Sequence, residues 1–308
     1  MNTLKSFGEL AQRLADSPKR RRVVLVCPHD SHTEYVIGRA LEEGFAEFTL
    51  FTVSPVSGNL QTVISHHRPY VRIVECSEVA EACREAVAAV RRGEAEVLMK
   101  GTVNTDVLLK AVLDKQGGLL ESGRVLSHIA MSCIPAYGKM LMFSDAAVIP
   151  YPTLEQFDAI IGYCVEACRH LGIAEPRVAL THFTEKVNPK FGHTVSYQEL
   201  KRFAAGGRYG NAVVDGPMDV KTALDRESGV LKGIQSPVAG KADVLVFPNI
   251  ESGNTFYKTI TLFAAAEIAG WLAGTVVPVV VASRADSELS KYYSLALACL
   301  CSDEDTDH

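Results

Sequence analysis

Ser283, Arg284 and Asp286 follow directly on the apolar run Val280-Val281-Ala282, and Ser287 and Glu288 come next. A guanidinium is a permanently charged fork of donors that matches a phosphate or a developing oxyanion. A hydroxyl beside it donates to the same anion, and a carboxylate nearby orients the guanidinium or takes a proton. In the blander reading, Asp286 or Ser287 caps the next helix and Arg284 pairs with a surface acid. A second stretch, "MKGTVNTDVLLKAVL" (99–113), sets Lys100, Thr102, Asn104 and Thr105 around Gly101. Helix capping needs only one of those side chains. The remainder, with a glycine that lets the backbone approach closely, fits an anion at a helix N-terminus, where amides are unpaired and the dipole favours negative charge.

Two further stretches carry polar residues suited to a substrate cleft. "THFTEKVNPKF" (181–191) holds Lys186 and Asn188, and "FPNIESGNTFYK" (247–258) holds Glu251 and Asn254. Taken locally, the first reads as a polar surface loop and the second as ordinary helix capping. The dinucleotide fingerprint G-x-G-x-x-G, the P-loop and the G-x-S-x-G elbow are absent. "HDSH" (29–32) places His29 and His32 three apart, but no third ligand can be named, so no metal is assigned.

Such groups must be delivered by a scaffold, and the chain spells one. β-branched runs at 22–27, 48–53, 71–76 and 95–99 alternate with helical patterns near 33–43 and 78–92. The style repeats at 140–149, 177–183, 211–217 and 242–249, with local turns at "GGRYGN" and "SPVAGK". Near-continuous apolar strands separated by helices predict parallel sheets covered on both faces. Ligands of such sheets gather beyond the carboxyl ends of the strands, where all four polar stretches lie. The apolar stretch 259–283 predicts a buried helix, a turn and a buried strand, because Glu267, Gly274 and Pro278 interrupt any membrane span. A last helix over 287–300 is predicted to turn Leu289, Tyr292, Tyr293, Ala296, Leu297 and Leu300 to one face, and the tail "SDEDTDH" is too polar to pack.

With 308 residues, 47% of them hydrophobic and 22% charged, the chain is long enough for two α/β lobes. A net charge of −5 excludes a nucleic-acid footprint. The eight cysteines include no CxxC pair, and no secretory signal is read at the start, which together predict a reducing, cytoplasmic setting.

In order along the chain, "KGTVNTDVLLKAVL", "LSHIAM", "SDAAVIPYPTLEQ", "EKVNPKF", "VDGPM", "SPVAGKADVLVFPNIESGNTFYK" and "VVASRADSELSKYYSLALA" resemble the phosphate acetyl/butyryl transferase family, specifically its butyryltransferase branch. Each motif alone is weak; the ordered set, from about residue 10 to about residue 300, is specific. The resemblance implies reversible transfer of a short-chain acyl group between coenzyme A and inorganic phosphate, with coenzyme A a substrate and no cofactor. It implies the two-lobed isocitrate/isopropylmalate dehydrogenase-like α/β fold with mostly parallel sheets and an interlobe cleft. Residues 1–145 plus 273–308 would form one lobe and 146–272 the other. It also implies a homodimer coupled to an acyl-phosphate kinase, with no membrane or nucleic-acid partner.

By the same resemblance, the Ser-Arg pair that serves the acetyltransferase site maps onto Ser283 and Arg284. The acetyltransferase carboxylate falls at Ser290, so Asp286 is the expected proton acceptor here, with Glu288 second. Butyryl-type relatives carry an Asp in the region where this chain reads "MDVKTA", and Lys221 stands in its place. The competing readings are a catalytically impaired protein that binds coenzyme A or acyl phosphate, and a nicotinamide-dependent hydroxy-acid dehydrogenase on the same fold. Lys221 favours the former, and the scattering of Asp residues at the strand ends weighs against the latter.

Overall fold

The computed structural model describes residues 2–283 and 286–302. Arg284, and with it the residues from 303 onward that make up most of the polar tail, lie outside the described residues.

The chain begins with α1 (Phe7–Ala15), β1 (Arg21–Val26), α2 (Ser31–Glu42), β2 (Ala46–Thr52), α3 (Gly58–His66) and β3 (Val71–Glu75). It continues with α4 (Val79–Arg91), β4 (Val97–Lys100) and α5 (Thr105–Val112). Next come β5 (Ser127–Cys133), β6 (Met140–Ser144), α6 (Leu154–His170), β7 (Arg177–Thr181), α7 (Gly192–Ala205), β8 (Val213–Met218), α8 (Val220–Leu224), α9 (Arg226–Leu231), β9 (Val244–Val246) and α10 (Ile250–Phe263). The last elements are β10 (Glu267–Ala273), β11 (Val279–Val280) and α11 (Glu288–Cys301).

Two compact units result, one made of Phe7–Arg124 with the chain from Ala269 onward, the other of Val125–Ile268 with the residues up to Ser6. The first unit orders its strands β3-β2-β1-β4-β11-β10. All neighbours are parallel except β10 against β11, where Leu272 opposes Val279. Strand order reverses between β1 and β4, since β2 and β3 follow on one side of β1 and β4 sits on the other. The carboxyl ends at such a reversal form the usual ligand crevice of an open α/β sheet. α4 covers this sheet with Ala82, Cys83, Ala86, Val87, Ala89 and Val90. α11 is buried almost all round, from Tyr292 through Leu300 apart from half-buried Tyr293, and it packs on α1 and α2.

The second unit orders its strands β5-β6-β9-β7-β8, parallel except β5 against β6. Its core gathers Leu141, Phe143, Ala179, Leu245, Phe247 and Ile260. α6 starts on a reciprocal capping box between Thr153 and Gln156, which satisfies two end amides at once.

The sequence expectations shift in four places. The unit boundary falls at 124/125 rather than 145/146, because β5 and β6 pair with each other and β6 then pairs with β9, Met142 opposite Val244. The other boundary falls at 268/269 rather than 272/273. Within 259–283, the helix ends at Phe263, and 267–273 is a second strand that returns through Gly274, at φ 98°, to β11. Finally, Leu289 is exposed at the first turn of α11. Among the described residues no helix is long and apolar enough to cross a membrane.

Candidate functional site

At the strand-order reversal the chain leaves β1 through Cys27, whose φ of 55° lies in the left-handed region. Its carbonyl becomes an anchor for the neighbouring loop: the Thr102 amide donates at 2.9 Å, the Thr102 hydroxyl at 3.0 Å and the His29 amide at 2.9 Å. The Gly101 amide donates to Val26 O at 2.8 Å. A Cβ on Gly101 would stand 2.2 Å from Cys27 O, so only glycine permits this approach. Lys100 is 4% exposed and turns its ammonium under the loop, with Nζ donating to Gly101 O at 3.1 Å and Val103 O at 3.2 Å. Asn104 is the N-cap of α5, and Asn104 and Thr105 are exposed at the helix start. The loop is thus shaped by Lys100, Gly101 and Thr102, and it offers Asn104 and Thr105 outward.

β11 lies beside β4 in parallel, so Ser283 arrives at this same carboxyl edge. Ser283 is exposed; its amide donates to Asp286 Oδ2 at 2.7 Å, and the Asp286 amide returns a bond to Ser283 O at 3.2 Å. Asp286 therefore ties back onto Ser283. It does not cap α11; that task falls to Ser287, whose hydroxyl accepts from the Ser290 amide at 3.1 Å.

The edge is completed by groups from β1, β2 and α2. Asp30 caps α2 through the Thr33 amide at 3.0 Å and the Thr33 hydroxyl at 2.5 Å, and accepts Lys291 Nζ at 3.0 Å. Burial opposes charge on Asp30, but the bonds from Thr33 and Lys291 outweigh it and hold the carboxyl below its ordinary value. His32 Nδ1 lies 3.1 Å from Asp286 O, and His29 Nε2 lies 3.0 Å from the Thr52 hydroxyl. His29 and His32 are thus engaged in hydrogen bonds at this edge. Among the described residues no group of three or more His, Cys, Asp or Glu side chains stands ready for a metal.

In the other unit, Lys186 is exposed in the loop after β7. Asn188 builds that loop, its side chain accepting the Lys190 amide at 3.0 Å and its amide donating to the Thr194 hydroxyl at 3.0 Å. Glu251 receives the Tyr151 hydroxyl at 3.0 Å, and Asn254 Nδ2 donates to Ala146 O at 3.0 Å. Asn254 and Gly253 clamp α10 on the turn after β6, where a Cβ on Gly253 would stand 2.1 Å from Asp145 O. Asp145, 1% exposed, is the centre of that turn; it accepts the Ser127 hydroxyl at 2.8 Å and the amides of His128 at 3.0 Å, Ala147 at 2.8 Å and Val148 at 2.8 Å. Beside the β7 loop, His182 Nδ1 meets His193 Nε2 at 3.0 Å, under the rings of Phe183 and Phe191.

The family model described as phosphate acetyl/butaryl transferase matches residues 56–299. The chain belongs to this family. It is 36% identical over 282 residues to a phosphate acetyltransferase of Thermotoga maritima, covering 92% of this chain and 95% of the relative. It is 34% identical over 297 residues to a phosphate butyryltransferase of Clostridium acetobutylicum, covering 96% and 98%. Among solved structures it resembles a branched-chain phosphotransacylase from Enterococcus faecalis, with TM-score 0.80, 32% identity and coverage of 92% and 99%. The EutD phosphotransacetylase of Staphylococcus aureus, with TM-score 0.75 and 17% identity, shares the fold. As a member of the phosphate acetyl/butyryl transferase family, the protein is an acyltransferase with the dehydrogenase-like α/β fold.

Ser283, Asp286, Lys100, Thr102, Asn104 and Thr105 therefore share the carboxyl edge of one unit, while Lys186, Asn188, Glu251 and Asn254 belong to the other. Sequence reasoning passed over Asp30 and Lys291. The signals were there: Asp30 with Thr33 three residues on is a cap, and Lys291 is a lone cation among the apolar residues of α11.

Proposed function

We propose that this acyltransferase moves a short-chain, butyryl-like acyl group between coenzyme A and inorganic phosphate, and that the reaction is centred on the carboxyl edge of β1, β4 and β11. A phosphate oxygen attacks the thioester carbonyl, forming a C–O bond and a tetrahedral oxyanion. The C–S bond then breaks, its electron pair leaves on sulfur, and the coenzyme A thiol takes up a proton. Two anions must be held together, a task of positioning and electrostatics.

The parts are suited to it. Arg284 holds phosphate and the oxyanion, and the Ser283 hydroxyl donates to the carbonyl oxygen or the departing sulfur. Asp286 exchanges the proton; a thiol with an ordinary value of about 8.5 is only partly ionised at neutral pH, so the reverse reaction profits from a base. Asn104 and Thr105, at the positive end of α5, contact phosphate, and the Lys100 ammonium adds charge from beneath the loop. In the other unit Lys186 is exposed, and Asn188, Glu251 and Asn254 keep the loops in shape. No cofactor enters the reaction, the protein works as a cytoplasmic homodimer, and an acyl-phosphate kinase consumes its product.

The observation that carries this reading is the parallel register of β1, β4 and β11, which sets Ser283 and the Gly101 loop at one sheet edge in a chain of this family. Thiol release from a panel of acyl-CoAs, with and without phosphate, tests it. Phosphate-dependent release, fastest with a four-carbon chain and lost in Arg284→Ala and Ser283→Ala, is the expected result. Near-normal turnover in Arg284→Ala overturns the assignment, and absence of release from every acyl-CoA overturns the reaction.

A further inference from the structure

The residues assigned to acyl transfer stand where β1, β4 and β11 end. At the opposite end of that sheet, where β1, β2 and β3 begin, lies a cavity of about 230 Å³ whose lining includes Arg22, Glu47, Thr49, Tyr70, Arg72 and Glu94. The parallel register brings them together. Arg22 is level with Glu47 and Thr49 with Arg72, and Glu47 and Thr49 are two apart on β2, so these four side chains leave one face of the sheet. The volume bounds the occupant. Pockets for drug-sized ligands run to roughly 300–1,000 Å³, so this one suits a molecule much smaller than coenzyme A.

The charges around the cavity are of both signs, and only some of them are spent. Arg22 turns away from its neighbour Glu47: its Nη1 donates to Gly93 O, and its Nε lies 3.4 Å from Glu96 Oε2. Glu94 accepts from Arg92 Nε, and the Arg20 guanidinium lies 3.8 Å over the Tyr70 ring. The side chains of Glu47, Thr49 and Arg72, by contrast, meet no hydrogen-bond or ion-pair partner among the described residues. A half-buried carboxylate, a half-buried hydroxyl and an exposed guanidinium thus stand uncommitted on one face. Pro69 and the Tyr70 ring supply apolar surface beside them. A plain anion set against Arg72 also meets Glu47 and Glu94, and a plain cation set against Glu47 also meets Arg22 and Arg72. A zwitterion answers both signs at once.

We infer that this cavity is a binding site for a free α-amino acid with a small apolar side chain. The ligand's ammonium meets Glu47, its carboxylate meets Arg72 and the Thr49 hydroxyl, and its side chain lies against Pro69 and Tyr70. The site is separate from the reaction edge, so it does not rest on the assignment of Ser283 or Asp286. Charges at a surface bind weakly, and a Kd of about a millimolar is expected.

The test titrates the full chain by calorimetry with L-valine and with its two halves, isobutylamine, which lacks the carboxylate, and isovalerate, which lacks the ammonium. L-Valine is expected to bind, and each half to bind about tenfold or more weaker, as the loss of one charge-assisted contact requires. Glu47→Gln and Arg72→Gln, at positions with no partner to lose, are expected to keep the thermal midpoint and each to weaken L-valine about tenfold. Hydrogen exchange over β2 and the segment 68–75 should slow when L-valine is added to the wild type, and not in either variant. A site for plain anions gives the opposite mark: the wild type takes up isovalerate as well as L-valine, and Glu47→Gln tightens both. That result overturns the inference. So does binding indifferent to both variants, or silence toward L-valine and other apolar amino acids at concentrations far above a millimolar.

Discussion

Val280 of β11 lies in parallel register with Met99 of β4, so both strands run out at the same sheet edge, one into Lys100 and Gly101 and the other toward Ser283. A one-residue slip of β11 turns its side chains to the opposite face and moves the Ser283 turn by about 3.3 Å along the sheet. The consequences of this coupling are open to measurement.

Gly101→Ala places a methyl group against the Cys27 carbonyl, 2.2 Å away, where backbone on both sides must move. A loss of about 2 kcal/mol or more is expected, because Gly101 is buried and the atoms it would strike are backbone. Urea unfolding measures it, and acyl transfer falls with it because the Thr102 contacts to Cys27 O are disturbed.

Lys100→Met removes the ammonium that ties Gly101 O and Val103 O from below. Hydrogen bonds from a charged donor are worth about 1.5–3 kcal/mol, and the denaturation midpoint should fall accordingly. The expected kinetic mark is a raised KM for phosphate, since the loop loses both shape and positive charge.

Asp145→Asn presents an amide NH2 where every surrounding group donates, from Ser127, His128, Ala147 and Val148. At least one donor is left facing another, at a cost of about 2–3 kcal/mol. Thermal unfolding is expected to register the loss, and Ser127→Ala, which removes one donor only, to cost less.

The imidazole pair of the second unit gives a pH dependence. Burial lowers the pKa of His182, and burial followed by proximity to His182 lowers that of His193. The unfolded chain therefore binds protons first as pH falls below the ordinary histidine value of about 6.5. The stability held by the pair is full above that value and is lost as pH falls toward the folded values. Urea midpoints measured from neutral pH down to about pH 5 should drop more steeply for the wild type than for His182→Phe.

What the sequence made legible follows from what periodicity measures. β1 to β4 and α2, α4 and α5 stand within a few residues of their expected places, because apolar alternation and burial are two views of one fact, whereas the helix Gly58–His66 between β2 and β3 was not foreseen. Strand β10 escaped because the residues after Glu267, "IAGWLA", are apolar or small without alternation, which suits a helix as well as a strand; its antiparallel partner decides. β5 went unassigned although β6, its antiparallel hairpin partner, follows a few residues later with Cys133 opposite Met140. Side-chain direction was the least legible. Lys100 and Asn254 carry the polar atoms of ligand contacts, yet both spend them on carbonyls of their own unit, a choice that only the folded backbone makes visible.

The short strand Val279–Val280 is wedged between β4 and β10, and it comes late in the chain. While the protein is being synthesised, β4 stands with one flank open to water until Val279 and Val280 have left the ribosome. That edge of the sheet is consequently closed only after its other strands have been made, and products of translation truncated before it carry Lys100 and Gly101 without Ser283.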